Sequence, residues 1–187
     1  MALAILFFIV VVAFGAFLFN RLVGLKNRAA SAWSDIDVQL KRRHDLVDNL
    51  VETVRGYTQH EKQTLEDVTR LRSQADQPRA AGLPAATGAA EAALSARLTS
   101  LLAVVEAYPE LKASARFLDL QRALTAVEND IQNARRYYNA VVRDLNTRIQ
   151  SVPDLLIARP LGFRQREFFQ LDDPAEAAVP QVNLEPR

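Results

Sequence analysis

Trp33-Ser-Asp-Ile36-Asp-Val-Gln-Leu40-Lys-Arg-Arg43-His-Asp-Leu-Val47-Asp-Asn-Leu50-Val-Glu-Thr-Val54 is the stretch on which the fold turns. Its large or apolar residues recur in alternating steps of three and four, a 3.5-residue period by which one helix packs along others. The same count runs on through Tyr57, Glu61, Thr64, Val68 and Leu71. The spacing therefore predicts one helix over 29–75. Gly56 is its weak point, about 1 kcal/mol poorer in a helix than alanine, and a place for a bend. Arg43 and Glu61 put charge into the seam, where a charge pairs with a neighbouring helix or marks a wet end.

C-terminal to this stretch, Pro78, Gly82, Pro84 and Gly88 predict a loop over 77–88. A shorter helix is expected over 89–107, with Leu94, Leu98, Leu101, Leu102 and Val105 on one side, ended by Pro109. Ser114 suits the N-cap of a third helix over 115–150. A second seam runs through it at Phe117, Leu120, Leu124, Val127, Ile131, Ala134, Tyr138, Val141, Leu145 and Arg148, and Pro153 stops it. The remainder, with Pro160, Pro174 and Pro180 around Leu161-Gly-Phe163 and Phe168-Phe169, reads as extended, or as one short helix.

N-terminal to it, residues 2–19 carry no charge and no hydrogen-bonding side chain. As a helix they span about 27 Å, against the roughly 30 Å hydrocarbon core of a bilayer. A cleaved signal peptide would start with positive charge, and a buried core helix would show a polar face; neither is present. Residues 1–20 are read as a transmembrane anchor and 21–28 as a juxtamembrane linker with Gly24 as its flexible point. Arg21, Lys26 and Arg28 all follow the apolar run. The positive-inside rule then puts the N-terminus outside and the larger part in the cytoplasm.

Net charge is +1, which argues against nucleic acid as a partner, because phosphate binding calls for a basic excess. There is no cysteine, so disulfides, thiolate nucleophiles and cysteine metal sites are excluded.

Three helices of about 70, 29 and 54 Å cannot cover one another. Either the apolar tail folds back over the exposed seam or another copy of the chain covers it, since tens of ångströms of bare Leu, Val and Tyr exceed what a monomer tolerates.

Several runs together resemble the LemA family of bacterial membrane-anchored proteins: Asn27, Trp33, Ile36, Leu40, Arg42-Arg-His-Asp-Leu-Val-Asp-Asn-Leu-Val51 and Tyr57-Thr-Gln-His-Glu61. In the second half Tyr108-Pro-Glu-Leu-Lys112, Phe117, Leu120-Gln121, Glu128-Asn-Asp-Ile131, Ala134-Arg-Arg-Tyr-Tyr-Asn139, Val142 and Asn146 extend the likeness. Leu161-Gly-Phe163, Phe169 and Val182 complete it. The resemblance implies a LemA-like four-helix bundle behind an N-terminal anchor, and implies no reaction. Many members carry proline where this chain has Asp48, which leaves the first helix free to run straight.

No glutamate has a histidine three residues after it, so the paired Glu-x-x-His pattern of a di-iron bundle is missing. His44 and His60 lie sixteen apart and cannot share an ion on one helix. His60-Glu61 is weighed as part of a site completed from elsewhere, and ranks below a hydrogen-bonded structural pair. Neither a Gly-x-Ser-x-Gly elbow nor a phosphate-binding glycine loop occurs. No catalytic, cofactor-binding or metal-ligating residue is expected.

Arg43, Glu61, Glu128 and Arg135 fall on or beside the seams and are read as a register-fixing network in preference to a peptide-binding groove. Asn139 and Asn146, seven apart, join that class. Arg159, Arg164 and Arg166, interleaved with Phe163, Phe168 and Phe169, are expected to pack on the bundle rather than touch anionic lipid, on the supposition that the third helix runs parallel to the first.

The reading is an all-α protein: an anchor at 1–20, a linker at 21–28, an elongated antiparallel helical bundle at 29–152, and a Pro-rich tail at 153–187 packed on it. Its expected function is a non-enzymatic helical-bundle scaffold that self-associates at the cell (inner) membrane and organises or remodels it. The expected partners are the lipid bilayer, copies of itself and other membrane proteins. The alternative is an adaptor or regulator of a membrane protease or signalling protein through a helical groove.

Overall fold

The computed structural model describes residues 1–58 and 61–170. His60, Pro174, Pro180 and Val182 lie outside the described residues. The protein is helical, with no strand among the described residues.

Helix α1 (Ala2–Arg55) runs unbroken for 54 residues, about 80 Å. The expected linker at 21–28 is therefore helix. Leu22, Leu25 and Ala29 pack into the core there, and this burial offsets the propensity cost of Gly24. Upstream of Leu18, α1 is bare on nearly every side. From Leu18 onward it buries one stripe, Leu22, Ala29, Ala32, Ile36, Leu40, Val47, Leu50 and Val54.

The helix expected through 75 is two helices. At Gly56-Tyr57-Thr58 the chain turns back, with the amides of Tyr57 and Thr58 and the Thr58 hydroxyl all donating to the Val54 carbonyl. Helix α2 (Lys62–Ala80) continues through Pro78, so the predicted loop shrinks to three residues. Pro84 opens α3 (Pro84–Val105), where its missing amide hydrogen costs no bond. The single turn α4 (Pro109–Lys112) leads to α5 (Ala115–Gln150), with Ser114 at its N-cap but no side-chain capping bond. A last short helix, α6 (Asp154–Ala158), follows Pro153.

Helix α5 lies antiparallel to α1. Arg42 approaches Asp130, the ring of Trp33 lies 5.7 Å from that of Tyr138, and residues 20–28 face residues 143–151. The supposition of a parallel third helix is thus corrected, and the tail starts beside the apolar end of α1. There α6 packs on it: a Cβ at Gly15 would lie 3.5 Å from Ile157, and Phe19 meets Phe163 edge-on at 6.0 Å.

From Phe163 to Gln170 the chain is an extended strap running back along α5. Asn146 accepts from the Arg166 amide and donates to its carbonyl, at 2.9 Å each; Asn139 does the same for Phe169, at 2.9 and 3.0 Å. Seven residues of helix rise about 10.5 Å and three residues of extended chain about 10 Å, so two asparagines a heptad apart fit two strap residues three apart. Phe169 is fully buried, its ring 6.0 Å from Trp33. At the strap's end a Cβ on Gly88 would fall 1.9 Å from the Gln170 carbonyl oxygen, so only glycine admits the strap there.

Two apolar clusters result. One joins the membrane-proximal half of α1 to α5, Ala158 and Phe169; the other joins residues 47–54 of α1 to α2, α3, Leu111 and Phe117. The strap covers part of the seam that the helix lengths leave bare.

Candidate functional site

Between the two clusters, where Leu40 gives way to Val47, α1 presents Arg43 and His44 to the interior. Both are almost wholly buried, as is Glu91 of α3. Isolated charges there would be prohibitively costly, so each must be paired. Arg43 donates to Glu91 Oε2 at 3.2 Å and to the Ser95 hydroxyl at 2.6 Å, and its second terminal nitrogen lies 3.4 Å from Glu128 on α5. His44 Nε2 lies 2.7 Å from Glu91 Oε1 and Nδ1 lies 3.1 Å from Asp76 of α2. Both ring nitrogens of His44 are thus within hydrogen-bond reach of a carboxylate. One α1 turn thus ties all four long helices together.

The network continues to the surface as a ladder between α1 and α2. Asp76 binds Arg72 at 2.8 Å and Arg79 at 2.9 Å; Arg72 reaches Asp48 at 2.9 Å and Arg79 reaches Asp37 at 2.7 Å. Asp48, standing where proline is common in the family pattern, is therefore a rung of this ladder. Partial burial by itself would raise the Asp76 pKa, but Arg79, His44 and Arg72 outweigh it and hold the carboxyl below its usual range. Burial likewise works to lower Arg79, and its bonds to Asp37 and Asp76 reverse the sign. The Tyr138 hydroxyl, which donates to the Glu167 carbonyl, is pushed up by burial.

Of the residues singled out from sequence, Arg43 and Glu128 meet. Glu61 does not join them; it sits at the N-terminus of α2, at the far end of the bundle. Arg135 is half-buried on α5, a heptad beyond Glu128. Asn139 and Asn146 hold the strap's backbone instead of another helix. Arg159 and Arg164 are exposed near the apolar end of α1, and the Arg166 main chain is bound by Asn146. Sequence reading passed over Glu91 and Asp76 because neither lies on a long seam. Their signal was a lone carboxylate among the alanines and leucines of α3, and an Arg-x-x-x-Asp-x-x-Arg run on α2. Among the described residues no three His, Asp or Glu side chains converge on a metal-sized point. The two carboxylates at His44 approach opposite edges of the ring.

A groove flanks the network. Helices α3 and α5 stand apart over α1, leaving a cleft of about 320 Å³ walled by Leu50, Leu98, Leu102 and Leu124, with Arg43 and Glu128 in it.

The family model for LemA matches residues 32–184, which take in most of the bundle. The chain belongs to the LemA family. It is 26% identical over 178 residues to Protein LemA of Metamycoplasma hominis, covering 90% of this chain and 78% of that one. It is also 26% identical over 195 residues to magnetosome proteins MamQ 1 and MamQ 2 of Paramagnetospirillum magneticum, covering 90% of this chain and 72% of each. With the apolar N-terminal helix ahead of the matched region, this LemA-family chain is a membrane-associated helical protein.

Proposed function

We propose that this LemA-family protein is a non-enzymatic scaffold, anchored in the cell (inner) membrane with its N-terminus outside, whose bundles associate with one another at the cytoplasmic surface. The observation that carries the reading is the open α3–α5 groove: apolar walls with an accessible Glu128 at its edge suit a helix laid into it. Anchoring favours self-association, because confinement to a membrane plane raises the effective concentration of copies. Arg21, Lys26 and Arg28 after the apolar run favour the stated orientation. The magnetosome naming of two relatives agrees with a part in organising a cellular structure more than in converting a metabolite.

The chain has no cysteine, so an introduced one reports alone. Thr99→Cys at the groove rim should crosslink copies in lipid nanodiscs and in native membranes, whereas Val38→Cys, exposed on α1, should not. Thr99→Cys protein that stays monomeric in nanodiscs but crosslinks to other proteins in membranes favours the adaptor reading. Turnover of a small molecule by the purified protein refutes the scaffold.

A further inference from the structure

A second cavity lies where α1 leaves its apolar run. About 680 Å³ in volume, it is bounded by residues 20–28 of α1 and 143–151 of α5. Four guanidiniums, Arg21, Arg28, Arg143 and Arg148, line it against one carboxylate, Asp144. Arg148 is drawn toward Asp154 at 3.5 Å. Arg21, Arg28 and Arg143 form no ion pair among the described residues. Three arginines without an ion pair, set against the single carboxylate of Asp144, leave an excess of positive charge around one hollow that an anion would offset.

The end of α5 also faces the cavity, and the negative pole of a helix disfavours an anion. Here it is partly quenched: the Ser151 hydroxyl and amide donate to the carbonyls of Thr147 and Arg148. About half an elementary charge cannot offset the net excess of two guanidiniums that remains once Asp144 and Asp154 are counted. Gly24 supplies the room, since a Cβ placed on it meets nothing within 4 Å.

Depth selects the source of the anion. Counted from Phe19, Arg21 stands about 3 Å, Gly24 about 7.5 Å and Arg28 about 13.5 Å along the axis. The headgroup layer occupies roughly 5–7 Å beyond the hydrocarbon on each side. The end of the cavity between Arg21 and Gly24 is therefore level with lipid phosphates, and Arg28 stands about 6 Å beyond that layer. Beside it lies α6, with exposed Leu156 on it and exposed Val152 and Leu161 flanking it; α6 packs on α1 at Gly15 and so sits at acyl-chain depth.

We propose that this cavity binds the phosphate of an anionic glycerophospholipid, seating one headgroup between α1 and α5. The inference rests on the anchor reading, and its test separates the two. Full-length protein is reconstituted in nanodiscs of phosphatidylcholine doped with spin-labelled phosphatidylglycerol or spin-labelled phosphatidylcholine, and the immobilised fraction of each is compared. The wild type should favour phosphatidylglycerol, and Arg28→Gln or Arg143→Gln should cut the preference about fivefold each. Gly24→Leu, which fills the hollow without changing charge or helix, should abolish it. Lys26→Gln, at similar depth on another face, should leave it nearly intact.

Equal losses in Lys26→Gln and Arg143→Gln, or an undiminished preference in Gly24→Leu, mean diffuse surface attraction and overturn the site. Inorganic phosphate that binds in phosphatidylcholine discs and displaces the labelled lipid assigns the cavity to a soluble anion instead, overturning the lipid. Flotation with phosphatidylcholine vesicles checks the anchor by itself: no flotation removes anchor and lipid site together, while flotation without preference removes the site alone.

Discussion

Glu91 is wholly buried, and its carboxyl is tolerated there because Arg43 and His44 converge on its two oxygens. Removing it takes from Arg43 and His44 their one fully buried carboxylate and leaves only the partly exposed Glu128 and Asp76 against them, the costly way to break such a set. Glu91→Leu should lower unfolding free energy by about 3–5 kcal/mol in urea titrations. The triple change Arg43→Met, His44→Leu, Glu91→Leu should recover much of that, because it removes the two basic groups as well; a triple variant less stable than the single would show the network to be net stabilising. Asp76 gives a pH test. Its folded pKa lies below that of the unfolded chain, so its contribution is present above the ordinary aspartate range and is lost as pH falls through the folded value. The stability gap between wild type and Asp76→Asn should therefore shrink on acidification from pH 7 towards 3. A gap constant across that range would contradict the pairing. At this scale the sequence was half legible: a charge inside a seam announced that Arg43 must pair, and Glu128 was found on the opposing seam. Glu91 and Asp76 were not, because they sit on helices whose faces no period of 3.5 marks out.

At the scale of elements, helices were legible and their ends were not. The three-four count passes through Gly56 without a slip because the turn happens to keep phase, so Val54 and Val68 are both buried although the chain reverses between them. Glu61 stands at the N-cap of α2 without a side-chain capping bond, and no acidic residue follows in the first turn, so the usual Ser, Thr, Asp or Asn signal of a new helix is missing. Asn139 and Asn146 were recognisable as paired positions, but their partner is main chain, and main chain leaves no trace in sequence. The strap they hold is therefore the element to test. Asn139→Ala with Asn146→Ala removes four hydrogen bonds to backbone groups. It should speed hydrogen exchange of the Arg166 and Phe169 amides by one to two orders of magnitude while α1 and α5 keep their protection; unchanged exchange at those amides would show that burial alone seats the strap. Phe169→Ala opens a cavity under Trp33, the one tryptophan. A loss of about 3 kcal/mol and a red-shifted emission are expected, read by urea titration followed through that tryptophan.

For the whole molecule, the antiparallel return of α5 matters most, because it brings the C-terminal elements back to the apolar end of α1. A bundle standing on one helix would be tethered at a point, whereas here α6 lies against the same end. Its exposed Leu156, with Val152 and Leu161 just outside its two ends, extends the apolar surface of residues 1–17 sideways. Exposed apolar side chains on and beside so short a helix are costly in water and favourable at a lipid boundary. With Ile157 set against Gly15, four residues short of Phe19, α6 should sit about 6 Å inside the hydrocarbon edge. Leu156→Cys carrying an environment-sensitive fluorophore should be quenched by lipids brominated on their acyl chains, whereas Tyr137→Cys, exposed on α5 far above the span, should not. Quenching at neither position would leave α6 in water and reduce the attachment to α1 alone. A blue-shifted, quenched probe at Leu156 would mean that two elements hold the bundle upright, and α1, continuous from lipid to the far turn at Gly56, would then set how far from the membrane the α3–α5 groove stands.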